Sequence, residues 1–64
     1  MLNIRHIRQR LKMSQESFAE AIGVTQGAVS QWENGATKPS FKAVFAISKL
    51  LNITIEQLLA EETA

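Results

Sequence analysis

The chain has 64 residues, 45% hydrophobic and 20% charged. This composition favours one packed domain, spanning residues 1–64, rather than a disordered tail. It has no cysteine and a single histidine, so we expect no disulfide, metal or other cofactor, and oligomerisation becomes the natural support for so small a core. No apolar run approaches the roughly 20 residues of a membrane span, and no signal-peptide core follows the N-terminus, so we expect a cytoplasmic protein.

The first predicted helix is basic. Residues 1–12 contain four basic residues and no acidic one, whereas residues 13–64 contain three lysines and six glutamates. Ile4, Ile7 and Leu11 recur at helical spacing and predict a buried face. The basic side chains could face DNA phosphates, or they could simply be solvated, and the charge pattern alone leaves both interpretations open.

The next two predicted helices are joined by a very short turn. Ser14 is a typical N-cap for the second helix, and Gly23 is a typical stop in the left-handed conformation. A single residue separates Gly23 from Thr25, the N-cap of a third helix over Gln26–Glu33. Two helices joined so tightly must cross at a steep angle, and Ala19 offers the small side chain that such a crossing needs.

Two more helices complete an all-α prediction. Ser40 can cap a fourth helix that runs through Leu51, and Thr54 with Gln57 predicts a capping box for a fifth. The fourth helix is apolar on nearly all sides, so packing on the core would leave apolar surface uncovered. We predict that this surplus joins two copies in a homodimer. The predicted interface residues are Phe45, Leu50, Ile53, Ile55 and Leu58.

Four segments resemble the XRE-type helix-turn-helix family of phage repressor and Cro proteins. They are SQESFAEAIGVTQ (14–26), WENG (32–35), KPS (38–40) and LNITI (51–55). The resemblance spans nearly the whole chain and implies a five-helix domain of the lambda-repressor type. In such domains the second and third helices form the helix-turn-helix, and the third enters the major groove.

The resemblance assigns base contacts to the third helix. The outer face predicted for this helix is polar and uncharged, and a glutamine amide can pair with adenine N6 and N7. The predicted base contacts are Gln26, Gly27, Ala28 and Gln31. Many relatives carry a reading side chain where this chain has glycine, so we expect relaxed readout at one base pair.

The resemblance also implies contacts with phosphates, which would set the register of the protein on DNA. They are expected from the second helix, the third helix, the following loop, the start of the fourth helix and the first helix. The predicted residues are Gln15, Thr25, Ser30, Asn34, Thr37, Lys38, Phe41 and Arg10.

The resemblance implies an internal ion pair for two charged residues. In the family, the residues at the positions of Arg8 and Glu33 form an internal ion pair between the first and third helices. A glutamate on the third helix would otherwise repel the DNA backbone, which supports a paired role.

Lys12 stands where relatives often have glycine at the end of the first helix. If the left-handed backbone is kept, lysine costs roughly 1 kcal/mol relative to glycine.

The resemblance therefore predicts a transcriptional regulator that binds a near-palindromic duplex operator as a homodimer. Repression is the predicted effect, and activation is the alternative. An antitoxin or restriction-system controller would share this fold. A protein-binding adaptor would need apolar or charged anchors on the third helix, where this chain has glutamine, serine and alanine. No cysteine nucleophile, carboxylate cluster or glycine-rich phosphate loop indicates an enzyme. The length suggests a stand-alone Cro-like protein, and a fragment of a longer repressor is the alternative.

Overall fold

The computed structural model describes residues 2–63, with side chains for residues 2–61. Within this range the chain forms five helices and no strand, which confirms the all-α, five-helix prediction. In chain order, the helices are α1 (Ile4–Arg10), α2 (Gln15–Ile22), α3 (Gln26–Glu33), α4 (Phe41–Leu51) and α5 (Ile55–Thr63). The α2 helix packs against α3 and α4, α1 packs against α3, and α5 packs against α4.

Side-chain caps begin all five helices. Three predicted N-caps each accept a hydrogen bond from the backbone N–H three residues later. They are Ser14, Thr25 and Ser40. Thr54 and Gln57 exchange two hydrogen bonds of 3.0 Å, which is the predicted capping box. Asn3 caps α1 through the N–H of His6, a cap that the sequence analysis did not include.

The turn between α2 and α3 depends on a left-handed residue. Gly23 has φ 78° and ψ 31°, a conformation that glycine adopts without steric cost. The following N–H, that of Val24, donates to the carbonyl of Ala19 at 2.9 Å and so satisfies the end of α2. This compact ending lets α3 begin at Gln26 and brings the two helices of the motif into direct contact.

Lys12 has the left-handed backbone that its position implies. Its φ is 56°, and the next N–H, that of Met13, donates to the carbonyl of Arg8 at 3.1 Å. The α1 helix therefore ends in the same kind of turn as α2, with lysine in the place where glycine would be unstrained. The expected cost of roughly 1 kcal/mol relative to glycine applies to this conformation.

All five helices contribute to one apolar core. Its buried members are Ile4, Ile7, Phe18, Ala19, Val29, Ala43, Ile47 and Leu58. Ser48 is a buried polar residue of this core, and its hydroxyl donates to the carbonyl of Phe45 at 2.7 Å. That hydrogen bond avoids the penalty of an unsatisfied polar group in the core.

Leu58 corrects the predicted dimer interface. It is fully buried, because α5 packs against α4 with this side chain turned inward, and it cannot meet a second copy in this fold. Its neighbour Leu59 is 42% exposed and was not predicted. Phe45 is 45% exposed as expected, whereas Leu50 and Ile53 pack partly against the core.

The α4 and α5 helices meet at a sharp corner. Asn52 ends α4 with a left-handed φ of 58°, and the two helices turn through 90° there. Among the described residues, no single helix is long and apolar enough to cross a membrane. Within the described part of the chain, only α4 and Ile55–Glu61 taken together are long and apolar enough, and this pair is bent at the corner.

Candidate nucleic-acid interface

The outer face of α3 is polar and uncharged. Val29 is fully buried and Trp32 packs partly against the core, which fixes the inner side of the helix. The exposed members of the predicted outer face are Gln26, Gly27 and Gln31. Ala28 and Ser30 are half-buried rather than exposed, so the open face of α3 is narrower than predicted.

Nothing within the described chain requires a glycine at position 27. A Cβ atom built there would meet only the Thr25 hydroxyl, at 3.9 Å, which is ordinary contact. The backbone of Gly27 is helical, so a residue with a Cβ atom fits this position without backbone strain. The absence of a reading side chain is therefore a property of the exposed surface and not a demand of the fold.

The segment from α3 to the first turn of α4 has positive accessible charge. Residues 26–42 contain one acidic residue, Glu33, and two lysines, Lys38 and Lys42. The Glu33 side chain is 1% exposed, while both lysines are exposed. A polyanion that contacts this segment would meet positive charge and uncharged polar groups, since its one carboxylate is buried.

The Glu33 carboxylate is held by an arginine of α1. Arg8 donates from Nε to Glu33 Oε2 at 2.7 Å and from Nη2 to Oε1 at 3.1 Å, the two-pronged geometry expected of a strong pair. Its third nitrogen, Nη1, donates to the carbonyl of Met13 at 3.1 Å. The structure thus has the ion pair between the first and third helices that the resemblance implies.

Two further side chains reach the same carboxylate. Arg5 Nε and Gln15 Nε2 each donate to Glu33 Oε1 at 3.2 Å. Hydrogen bonds from Arg8 first, and also from Arg5 and Gln15, lower the pKa of Glu33 from 4.5 to about 2 against the opposing effect of burial. Arg5 is not among the residues predicted for this ion pair, although its place three residues before Arg8 puts both on neighbouring parts of α1.

The residues predicted to contact phosphates are mostly accessible. Those that are exposed are Thr25, Asn34, Thr37, Lys38, Phe41 and Arg10. Ser30 and Gln15 are half-buried. Arg10 Nη1 lies 3.6 Å from Glu61 Oε1 of α5, a contact that the sequence analysis did not anticipate. Among residues 2–63, no group of three histidine, cysteine or acidic residues is placed to hold a metal ion.

Several regulators are similar to this chain. The transcriptional regulator DicA of Escherichia coli is 46% identical over 48 residues, which cover 75% of this chain and 36% of DicA. Repressor protein C2 of Salmonella phage P22 is 38% identical over 56 residues, which cover 88% of this chain and 26% of C2. The chain therefore spans about a third or less of the length of these curated relatives.

A solved structure and a family model extend the comparison. A crystal structure of the P22 c2 repressor in complex with synthetic operator 9T in the presence of Tl+ has a TM-score of 0.72. It is 36% identical, and the match covers 86% of this chain and 83% of that one. The family model described as helix-turn-helix matches residues 4–58, which include all of α1 to α4. This chain belongs to the helix-turn-helix family.

Proposed function

We propose that this domain binds duplex DNA sequence-specifically, with α3 in the major groove, and represses transcription at an operator. The observation that carries the proposal is the outer face of α3, which is exposed, uncharged and polar and is followed along the chain by two exposed lysines, Lys38 and Lys42. A groove lined by hydrogen-bonding base edges and bordered by phosphates complements such a surface. The likeness to a repressor that was crystallised with an operator supports the same function.

The exposed residues divide into two roles under this proposal. Gln26, at the N-terminus of α3, and Gln31, near its end, would contact base edges, since an amide can donate and accept at once. Lys38 and the backbone at the start of α4 would contact phosphates and hold α3 in place. Burial of the Glu33 charge favours this arrangement, because an exposed carboxylate on α3 would repel the phosphates.

Gln26→Ala is expected to weaken binding to the preferred site by about 1–3 kcal/mol and to relax the preference at one base pair of each half-site. Lys38→Ala is expected to weaken binding to all sequences alike and to lower the salt slope by about one unit. The preferred site comes from selection out of a random duplex pool, and affinities come from fluorescence anisotropy. Gln9→Ala, an exposed glutamine of α1, is the matched control.

The comparison between specific and random DNA decides the role of Gln26. A loss that is equal on both would show that Gln26 reads no base and that the assigned register of α3 is wrong. Failure of the unmodified protein to bind any duplex in low salt would contradict the proposed function itself. An adaptor for a polypeptide partner would give that result.

We further propose that two copies bind one near-palindromic operator. Half-sites one turn of DNA apart need recognition helices separated by about 34 Å. The longest dimension of this domain is 26 Å between Cα atoms, so one copy cannot present both helices. In the described part of the chain, the exposed large apolar residues lie on α4 and α5 and are Phe41, Phe45 and Leu59. Phe41 is assigned to a phosphate contact, which leaves Phe45 and Leu59 for a contact between subunits. Under this proposal, the two copies pair through this contact when both are bound to DNA.

Phe45→Glu is expected to weaken binding to a full palindrome strongly while leaving binding to an isolated half-site unchanged, because a buried charge at the subunit contact opposes only pairing. Phe45 is preferred to Leu50 for this test, since Leu50 packs partly on the core and its substitution endangers the fold. Sedimentation of the complex counts the copies. A single copy on a full-length, high-affinity site would contradict the two-copy model.

A further inference from the structure

The cluster around Glu33 carries one surplus positive charge. Two arginines, Arg5 and Arg8, share a single carboxylate. Arg8 is committed within the protein, since its three nitrogens donate to Glu33 and to the carbonyl of Met13. Arg5 uses only Nε within the described part of the chain, and its side chain is 58% exposed. The uncompensated charge of the cluster is therefore presented to solvent by Arg5.

Arg5 and Gln15 are anchored on the same oxygen atom. Each donates to Glu33 Oε1 at 3.2 Å, so a buried and rigidly paired carboxylate holds a residue of α1 beside the first residue of α2. The two terminal amino groups of Arg5 form a planar fork that suits a phosphate. The Gln15 amide keeps a second N–H. A side chain that is already oriented loses less conformational entropy when it binds.

We propose that Arg5 and Gln15 together bind one phosphate group of duplex DNA. The inference rests on the proposed function and adds Arg5 to its phosphate contacts. Arg5 supplies the charge and the forked donors, and Gln15 supplies a neutral donor to the same group. The fork of Arg5 remains available because its link to Glu33 is made through Nε alone.

The test measures affinity for random duplex DNA against salt concentration for the unmodified protein, Arg5→Gln, Gln15→Ala and the double variant. Arg5→Gln is expected to lower the salt slope by about one unit, which is roughly a tenfold loss of affinity at 0.1 M salt. Gln15→Ala is expected to weaken binding with little change of slope, because a neutral donor releases no counterion. The double variant is expected to lose less affinity than the sum of the single losses, since both side chains serve one phosphate.

Two control variants make the result specific. Lys49→Gln removes the same unit of charge from the last turn of α4, whereas the proposed phosphate contacts are at the start of that helix. It is expected to leave the salt slope nearly unchanged. Arg5→Lys keeps the charge and is expected to keep the slope while losing part of the affinity, because an ammonium lacks the forked geometry. Circular dichroism checks the fold of each variant, and Arg8 continues to pair with Glu33 in all of them.

The outcomes separate this inference from the proposed function. An Arg5→Gln slope equal to that of Lys49→Gln, or additive losses in the double variant, would overturn the shared phosphate contact while DNA binding itself stands. Absence of duplex binding by the unmodified protein would overturn both. A slope lowered only in Arg5→Gln, with non-additive losses, supports the inference.

Discussion

Glu33→Ala is expected to destabilise the domain by about 3–5 kcal/mol, because it leaves Arg8 and its buried surroundings without the carboxylate that neutralises them. Arg8→Ala is expected to have a similar effect, since the Glu33 side chain is almost completely buried. Replacing both residues by apolar side chains of similar volume, such as methionine and leucine, is expected to cost much less. Urea unfolding followed by circular dichroism gives the four free energies of this double-mutant cycle.

The exposed ion pair between Arg10 and Glu61 is the matched control for that cycle. Its atoms are 3.6 Å apart, and both side chains are accessible, so alanine at either position is expected to change stability by about 0–1 kcal/mol. Strictly additive losses at Arg8 and Glu33 would show that their side chains do not interact in solution, contrary to the structure.

The same pair gives a pH dependence of known sign. The pKa of Glu33 is lowered from 4.5 to about 2, mainly by the hydrogen bonds from Arg8, so the unfolded chain takes up this proton more readily than the folded one. The contribution of the carboxylate to stability is therefore complete above about pH 4.5 and is lost as the pH falls towards 2. Between these pH values, the free energy of unfolding is expected to fall more steeply with decreasing pH for the unmodified protein than for Glu33→Gln.

Leu58→Ala is expected to destabilise the domain by about 2–5 kcal/mol, the range for deleting a fully buried leucine side chain from a packed core. Leu59→Ala is the matched control, since it makes the same chemical change one residue later at a side chain that is 42% exposed. We expect it to cost less than half as much. The urea midpoint of each variant provides the measurement.

The comparison of the two leucines also tests the corrected interface. Equal losses at the two positions would contradict the placement of Leu58 in the core. An unchanged stability of Leu58→Ala combined with weakened pairing on a palindrome would restore its predicted role in the dimer. The structure excludes that role as long as α5 packs against α4 through Leu58.

The local features of this fold are predictable because their causes are local. A serine or threonine cap needs only an N–H three residues away, and the bonds of Ser14, Thr25 and Ser40 are where the sequence places them. A glycine stop such as Gly23 depends only on its own backbone energy. The Thr54–Gln57 box follows the same logic. Helix order and most boundaries are therefore readable from the chain.

The candidate site is only partly readable. The uncharged exposed glutamines of α3 follow from helical spacing next to the apolar Val29. The Arg8–Glu33 pair came from resemblance to a family and not from spacing, because the residues are 25 positions apart. Half-burial of Ala28 and Ser30 depends on how the neighbouring helices pack against α3, which no helical pattern contains.

The sequence by itself determined five helices, four of their caps, the tight turn at Gly23 and the polar face of α3, since backbone preference and hydrophobic period act over a few residues. Only the tertiary structure decided which of two adjacent leucines enters the core, because the α4–α5 corner sets the rotation of α5. It also decided that Arg5 and Gln15 meet on one oxygen of Glu33, although 28 and 18 residues separate them from it. Such contacts between residues distant in sequence depend on how whole helices pack, and every side chain of the core contributes to that packing.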